Sequence, residues 1–147
     1  MTVKRIAWTG AILALGLLAG ASCKSGSPTA PTPPVDNTAV KDDPSFAADI
    51  QSIFSNSCAL SGCHGASAAG SLILIQGQSY ANLVNVKSGG EPDKVRAIPN
   101  DATNSYIVIK VEGRQSVGSK MPLSGTALSA NQIQNIKNWI SKGAKNN

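Results

Sequence analysis

Residues 55–65 read SNSCALSGCHG, which places Cys58, Cys63 and His64, the only histidine of the chain, in one short stretch. The segment just before it, SFAADIQSIFSNS from Ser45 to Ser57, sets Phe46, Ile50, Ile53 and Phe54 at helical spacing on one face. Ser45 has the side chain of an N-cap, and Asp49 puts a carboxylate in the early turns, where the helix dipole favours it. The pattern predicts a helix from about Phe46 to Asn56, so the two thiols and the imidazole follow directly on a helix C-terminus.

Three chemistries use such a set. In covalent haem attachment, two thiols add across the two vinyl groups of the porphyrin, and a histidine next to the second thiol reaches the iron from the same loop. The common spacing is C-x-x-C-H. Here it is C-x-x-x-x-C-H, with Ala59, Leu60, Ser61 and Gly62 between the thiols. The relation of Cys63 to His64 is the required one, and the small residues of the loop allow it to bulge outward. The second chemistry is a Cys58–Cys63 disulfide with His64 incidental, since small exported domains often rely on such staples. The third, structural zinc, asks for four ligands, and two cysteines, one histidine and scattered carboxylates supply it poorly. The motif alone leaves the first two open.

The rest of the chain narrows its setting. Lys4 and Arg5 precede the apolar run IAWTGAILALGLLAGA, which is short and rich in small residues and so reads as a secretory signal over residues 1–22. LAGASC, ending at Cys23, resembles a lipobox, although Gly20 stands where leucine is usual. Lipid on Cys23 then leaves Cys58 and Cys63 as the only remaining thiols of an exported chain. Residues 23–43 are rich in Pro, Thr and Ser and read as an extended tether holding a domain over 44–147 near a membrane. The net charge is +5, and eleven basic against eight acidic residues remain once Lys4 and Arg5 are removed. That mild and dispersed excess, with no basic block interleaved with aromatics, speaks against nucleic acid as a partner.

At the other end, LSANQIQNIKNWISKGAKNN carries an N-cap at Ser129, a capping box completed by Gln132, and Ile133, Ile136 and Ile140 on one stripe with Trp139 on its flank. A second amphipathic helix is predicted there. Ser79–Val86 suggests a short helix. Asn104–Val111 (NSYIVIKV) is β-rich by propensity, yet Asp101 and Asn104 each have a helix-capping side chain, and periodicity does not choose between them. Stretches 65–71, 88–91 and 113–126 read as loops. The last of these contains Met121, the one methionine besides Met1, in GSKMPLSG. A methionine in a Gly/Ser loop before Pro122 is poorly explained as core filling, and its thioether is a soft neutral ligand suited to haem iron.

A helix with an aromatic four residues before the first cysteine, the attachment motif, a Met-Pro loop and an amphipathic C-terminal helix with an aromatic, in that order, resemble a class I c-type cytochrome over most of residues 45–145. The resemblance implies an all-α domain of about four short helices with long loops around one covalently attached haem c. It implies that Cys58 and Cys63 carry the thioethers and that His64 and Met121 ligate the iron. It also implies that the terminal helices cross near Phe54 and Trp139, and that a carbonyl near RAIPNDATNSY (Arg96–Tyr106) orients the histidine. The implied role is one-electron transfer with a redox partner protein rather than catalysis. Lys87 and Lys120 are candidates to steer an acidic partner, and a lipid on Cys23 would anchor the exported chain to the periplasmic side of a bacterial membrane or to the cell surface.

Overall fold

The computed structural model of the chain describes residues 39–147. The signal peptide expected over 1–22, Cys23 and the tether as far as residue 38 lie outside the described residues.

The first helix starts as its residues dictate. The Ser45 hydroxyl accepts the Ala48 N–H at 3.3 Å, and the Asp49 carboxylate accepts the Ser45 N–H at 2.9 Å. Phe46–Ile50 form a π-helical opening turn that runs into α1, Gln51–Ser57. Three more helices follow: α2 at Ser79–Leu83, α3 at Tyr106–Glu112 and α4 at Ala130–Ser141. Among the described residues the extended segments between them make only isolated bridges, Val84 with Ala97, Lys87 with Val95 and Ile98 with Asp101. The domain is all-α, with four short helices and long loops, as expected. The stretch 65–71, expected to be wholly loop, contains a 3-10 turn at Ala69–Ser71.

Helix α4 carries the capping box its sequence predicts: Gln132 N–H donates to the Ser129 hydroxyl at 3.1 Å, and Ser129 N–H donates to the Gln132 side chain at 2.9 Å. Its apolar stripe is buried at Ile136, Trp139 and Ile140. There it meets the first helix through an aromatic cluster. Phe46 is the hub, with ring centroids 5.1 Å from Trp139, 5.2 Å from Tyr80 and 6.3 Å from Phe54. Each polar ring satisfies its hydrogen at a backbone carbonyl, Tyr80 at Ala144 (2.9 Å) and Trp139 at Lys145 (2.8 Å), as a buried Tyr or Trp must. The terminal segments meet at Phe46 and Trp139, with Phe54 and Tyr80 packed against the Phe46 ring.

Of the stretch 104–111, ambiguous from propensity, the part from Tyr106 on is helical. Helix α3 forms because Val108 and Val111, three apart, both point into the core, and burial on one helical face outweighs the modest β preference of branched residues. Its entry is built by tertiary contacts: Tyr106 N–H bonds the Val95 carbonyl and Ile107 N–H the Arg96 carbonyl, both at 2.9 Å. Asp101 caps the preceding turn rather than the helix, accepting Asn104 N–H at 3.0 Å.

Ala39–Asp43, assigned by composition to the tether, is docked on the domain. Lys41 N–H donates to Asn135 Oδ1 at 2.8 Å, Asn135 donates to the Ala39 carbonyl at 3.0 Å, and Asn138 donates to the Lys41 carbonyl at 2.7 Å. Polar side chains on α4 thus bind the backbone of a segment that has few apolar groups to bury.

Candidate functional site

Helix α1 delivers Cys58 at its end, where the Cys58 and Ala59 N–H groups share the Phe54 carbonyl at 2.8 Å. The four residues between the thiols are absorbed by a turn: the Leu60 carbonyl accepts Cys63 N–H at 3.0 Å, with Gly62 at its third position at φ +77°, where glycine is favoured. His64 N–H then bonds the Cys58 carbonyl at 3.0 Å. The backbones of Cys58 and His64 are therefore tied directly together, and the long loop bulges from that junction. Cys58 and Cys63 are both half-buried free thiols, not joined in a disulfide. Burial, and next the neighbouring Cys63, push the Cys58 thiol up to about 11.

His64 is oriented by the turn that follows. The Cys63 carbonyl accepts Ala69 N–H at 3.1 Å and the Ser67 hydroxyl at 3.1 Å, which brings the Ala69 carbonyl 2.9 Å from His64 Nδ1. A carbonyl only accepts, so the ring donates from Nδ1, and Nε2 is the nitrogen left to face the cleft chemistry. The orienting carbonyl thus belongs to Ala69 and not to the Arg96–Tyr106 stretch where it was expected. The reason is that the loop closes on itself within a few residues of the motif.

His64, Cys58 and Met121 line one cleft. Phe54, Leu74, Val111, Leu128 and Ile136 form much of its apolar wall, and Cys63 is not among the lining side chains. Met121 comes from a distant part of the chain and is brought in by a single backbone bond, its N–H to the Lys110 carbonyl of α3 at 2.9 Å.

The cleft also has a polar side that the sequence did not reveal. Arg96 is 6% exposed and lines it. One guanidinium nitrogen donates to the Asn82 carbonyl at 2.7 Å and another to the Ser71 carbonyl at 2.9 Å. Among the described residues no carboxylate forms an ion pair with it. Burial draws its pKa down from the usual value, and an arginine nevertheless keeps its charge at neutral pH. Tyr106 and Lys110 line the same cleft. The Tyr106 hydroxyl donates to Glu91 at 2.9 Å, and the Lys110 ammonium sits 5.9 Å from the Tyr106 ring centre. The available signal was a cation within the apolar run Val95–Ile98, since such a residue is rarely buried without a task. Lys87 and Lys120, the lysines singled out for steering, are exposed and are not among the lining residues.

The family model for cytochrome c matches residues 47–144. The chain belongs to the cytochrome c family. The match takes in all four helices, the cysteine motif and the Met121 loop. No curated protein and no solved structure matches the chain. Membership brings a covalently bound haem c and a haem-binding electron carrier. The residues of this cytochrome c domain fit that group: an apolar cleft, a thiol inside it, an imidazole engaged through Nδ1, a soft sulfur and a buried cation. Among the described residues no three His, Cys, Asp or Glu side chains gather to hold a bare metal ion.

Proposed function

We propose that this domain is an exported, membrane-tethered one-electron carrier in which Cys58 and Cys63 carry the haem thioethers and His64 Nε2 and Met121 Sδ ligate the iron. One observation carries the reading. The only histidine and the only methionine of the described residues line the same apolar cleft as Cys58, with His64 Nδ1 already engaged by the Ala69 carbonyl.

Haem supplies the reversible one-electron couple of its iron. His64 and Met121 would both hold the iron, which would leave no site on it for a substrate, and the apolar walls of the cleft would surround the group. Ligation by methionine in place of a second imidazole raises the potential. Arg96 and Lys110 are the cations lining the cleft that could meet the carboxylates of the group, and the lipid on Cys23 would hold the domain beside its redox partner. The exposed lysines Lys87 and Lys120 suit an acidic partner surface, where charge sets association rates more than affinity.

The test uses the full chain made with a c-type maturation system. The parent retains haem on a denaturing gel, and Met121→Ala keeps that haem while losing the spectrum of methionine ligation and lowering the midpoint potential. An unchanged spectrum and potential would remove Met121 from the iron, and a colourless parent would end the reading in favour of a plain envelope lipoprotein.

A further inference from the structure

The loop after the motif makes a close approach to the residues between the thiols. A Cβ placed on Gly65 would lie 2.8 Å from the Ala59 carbonyl oxygen and 3.1 Å from that of Leu60. Both are backbone atoms of the four residues between the thiols, so no side chain can swing aside to make room. Gly62 differs: its φ is +77° and a Cβ there meets nothing within 4 Å, so its need is conformational.

We propose that Gly65 is the positioning residue that lets the long inter-cysteine loop present both thiols for haem attachment, by leaving the Ala59 and Leu60 carbonyls room to fold back beside the backbone after His64. This rests on the reading of Cys58 and Cys63 as the thioether donors. The loop has nowhere else to go. Ala59 packs against the core, and its N–H is held by the Phe54 carbonyl at 2.8 Å. Leu60 is held by its carbonyl to Cys63, and Cys58 by its carbonyl to His64. A methyl group at position 65 must therefore lift the Ala59–Leu60 peptides and strain the Cys58–His64 junction.

The chemistry makes that displacement matter. Each thioether forms when a thiol adds across a vinyl double bond: sulfur bonds the inner carbon, the thiol hydrogen goes to the outer carbon, and no net oxidation occurs. Two additions to one porphyrin require both sulfurs at a set separation while the adjacent imidazole meets the iron. Cys63 is contiguous with His64 and moves with it. Cys58 lies on the far side of the lifted peptides and is the thiol that loses its place.

The experiment compares four full-length chains made with the same maturation system: the parent, Gly65→Ala, a chain lacking Ala59 and Leu60 (leaving C-S-G-C-H), and that shortened chain with Gly65→Ala. Thioethers are counted from the reduced pyridine haemochrome spectrum and from peptide mapping after iodoacetamide labelling. Gly65→Ala should lose one of its two thioethers, with Cys58 becoming labelled. The shortened chain with Gly65→Ala should regain both, because the crowding carbonyls are gone. Two thioethers in Gly65→Ala overturn the proposal, as does a Gly65→Ala defect of either degree that the shortened loop fails to rescue. A parent without haem overturns the reading beneath it instead.

Discussion

Replacing Arg96 by methionine separates its hydrogen-bonding task from its bulk. The methionine chain retains much of the apolar stem that fills the inner cleft, but it removes the donors to the Asn82 and Ser71 carbonyls at 2.7 and 2.9 Å. A hydrogen bond from a charged group is worth about 1.5–3 kcal/mol, and a buried acceptor left without a partner bears a desolvation penalty of similar size. Two such bonds amount to about 3–6 kcal/mol. Relief of the burial cost of the guanidinium offsets part of this, so the lower end, about 3 kcal/mol, is the expected loss. That is a large share of the roughly 5–15 kcal/mol that holds a domain of this size together. Guanidinium chloride unfolding of the holoprotein at pH 7, followed by far-ultraviolet circular dichroism, measures it. Arg96→Lys should fall between the two, since one ammonium cannot match the fork of the guanidinium. A loss below about 1 kcal/mol for Arg96→Met would refute the reasoning, because it would mean that both carbonyls readily find other donors. The same variant removes a positive charge from the cleft, and its midpoint potential should fall below that of the parent.

Cys58→Ala combined with Cys63→Ala should abolish stable helical structure, since without attached haem the cleft lies open; circular dichroism matching the parent would show a core that does not depend on the cofactor. Trp139→Ala removes the ring that packs 5.1 Å from Phe46 and bonds the Lys145 carbonyl, and thermal or chemical unfolding should register a loss of about 3–5 kcal/mol. Glu112 accepts from Lys137 at 2.9 Å and from Arg114 at 2.6 Å, and the Lys137 bond in particular holds its carboxyl below the usual value of 4.5 despite partial burial. Its contribution is therefore present above pH 4.5 and fades as pH falls through the lower folded-state value. Parent and Glu112→Gln should differ by at most about 1 kcal/mol at pH 7 and converge in acid; a gap that widens below pH 4.5 would contradict the assignment.

The two terminal helices were legible because every signal agreed. Ser45 and Ser129 are capping residues, the apolar positions recur at helical spacing, and no propensity opposed the pattern. The motif stood out because Cys63 and His64 are neighbours, and Met121 because it is the only methionine of the domain and stands in a Gly/Ser loop. Asn104–Val111 was not legible. Its valines and isoleucines suit strand and buried helix alike, and only packing of Val108 and Val111 chose the helix. The Ala69 carbonyl carries no sequence mark at all, since a backbone acceptor is offered by every residue. The docking of Ala39–Asp43 was hidden for a similar reason: it depends on backbone groups meeting Asn135 and Asn138, and composition records only a shortage of apolar side chains.

The amino-acid order by itself determined the reactive inventory, namely two thiols and an imidazole in one loop, a soft sulfur far along the chain, and two amphipathic helices to enclose them. These follow from residue identity and short-range periodicity, which need no knowledge of what lies across the core. Tertiary structure alone decided that Met121 and His64 share a cleft, that Arg96 is the buried cation facing it, and that Gly65 must be bare of a side chain. Each of these is a distance between segments remote in sequence or folded back on themselves, and such distances are set by which surfaces the packed helices bury together.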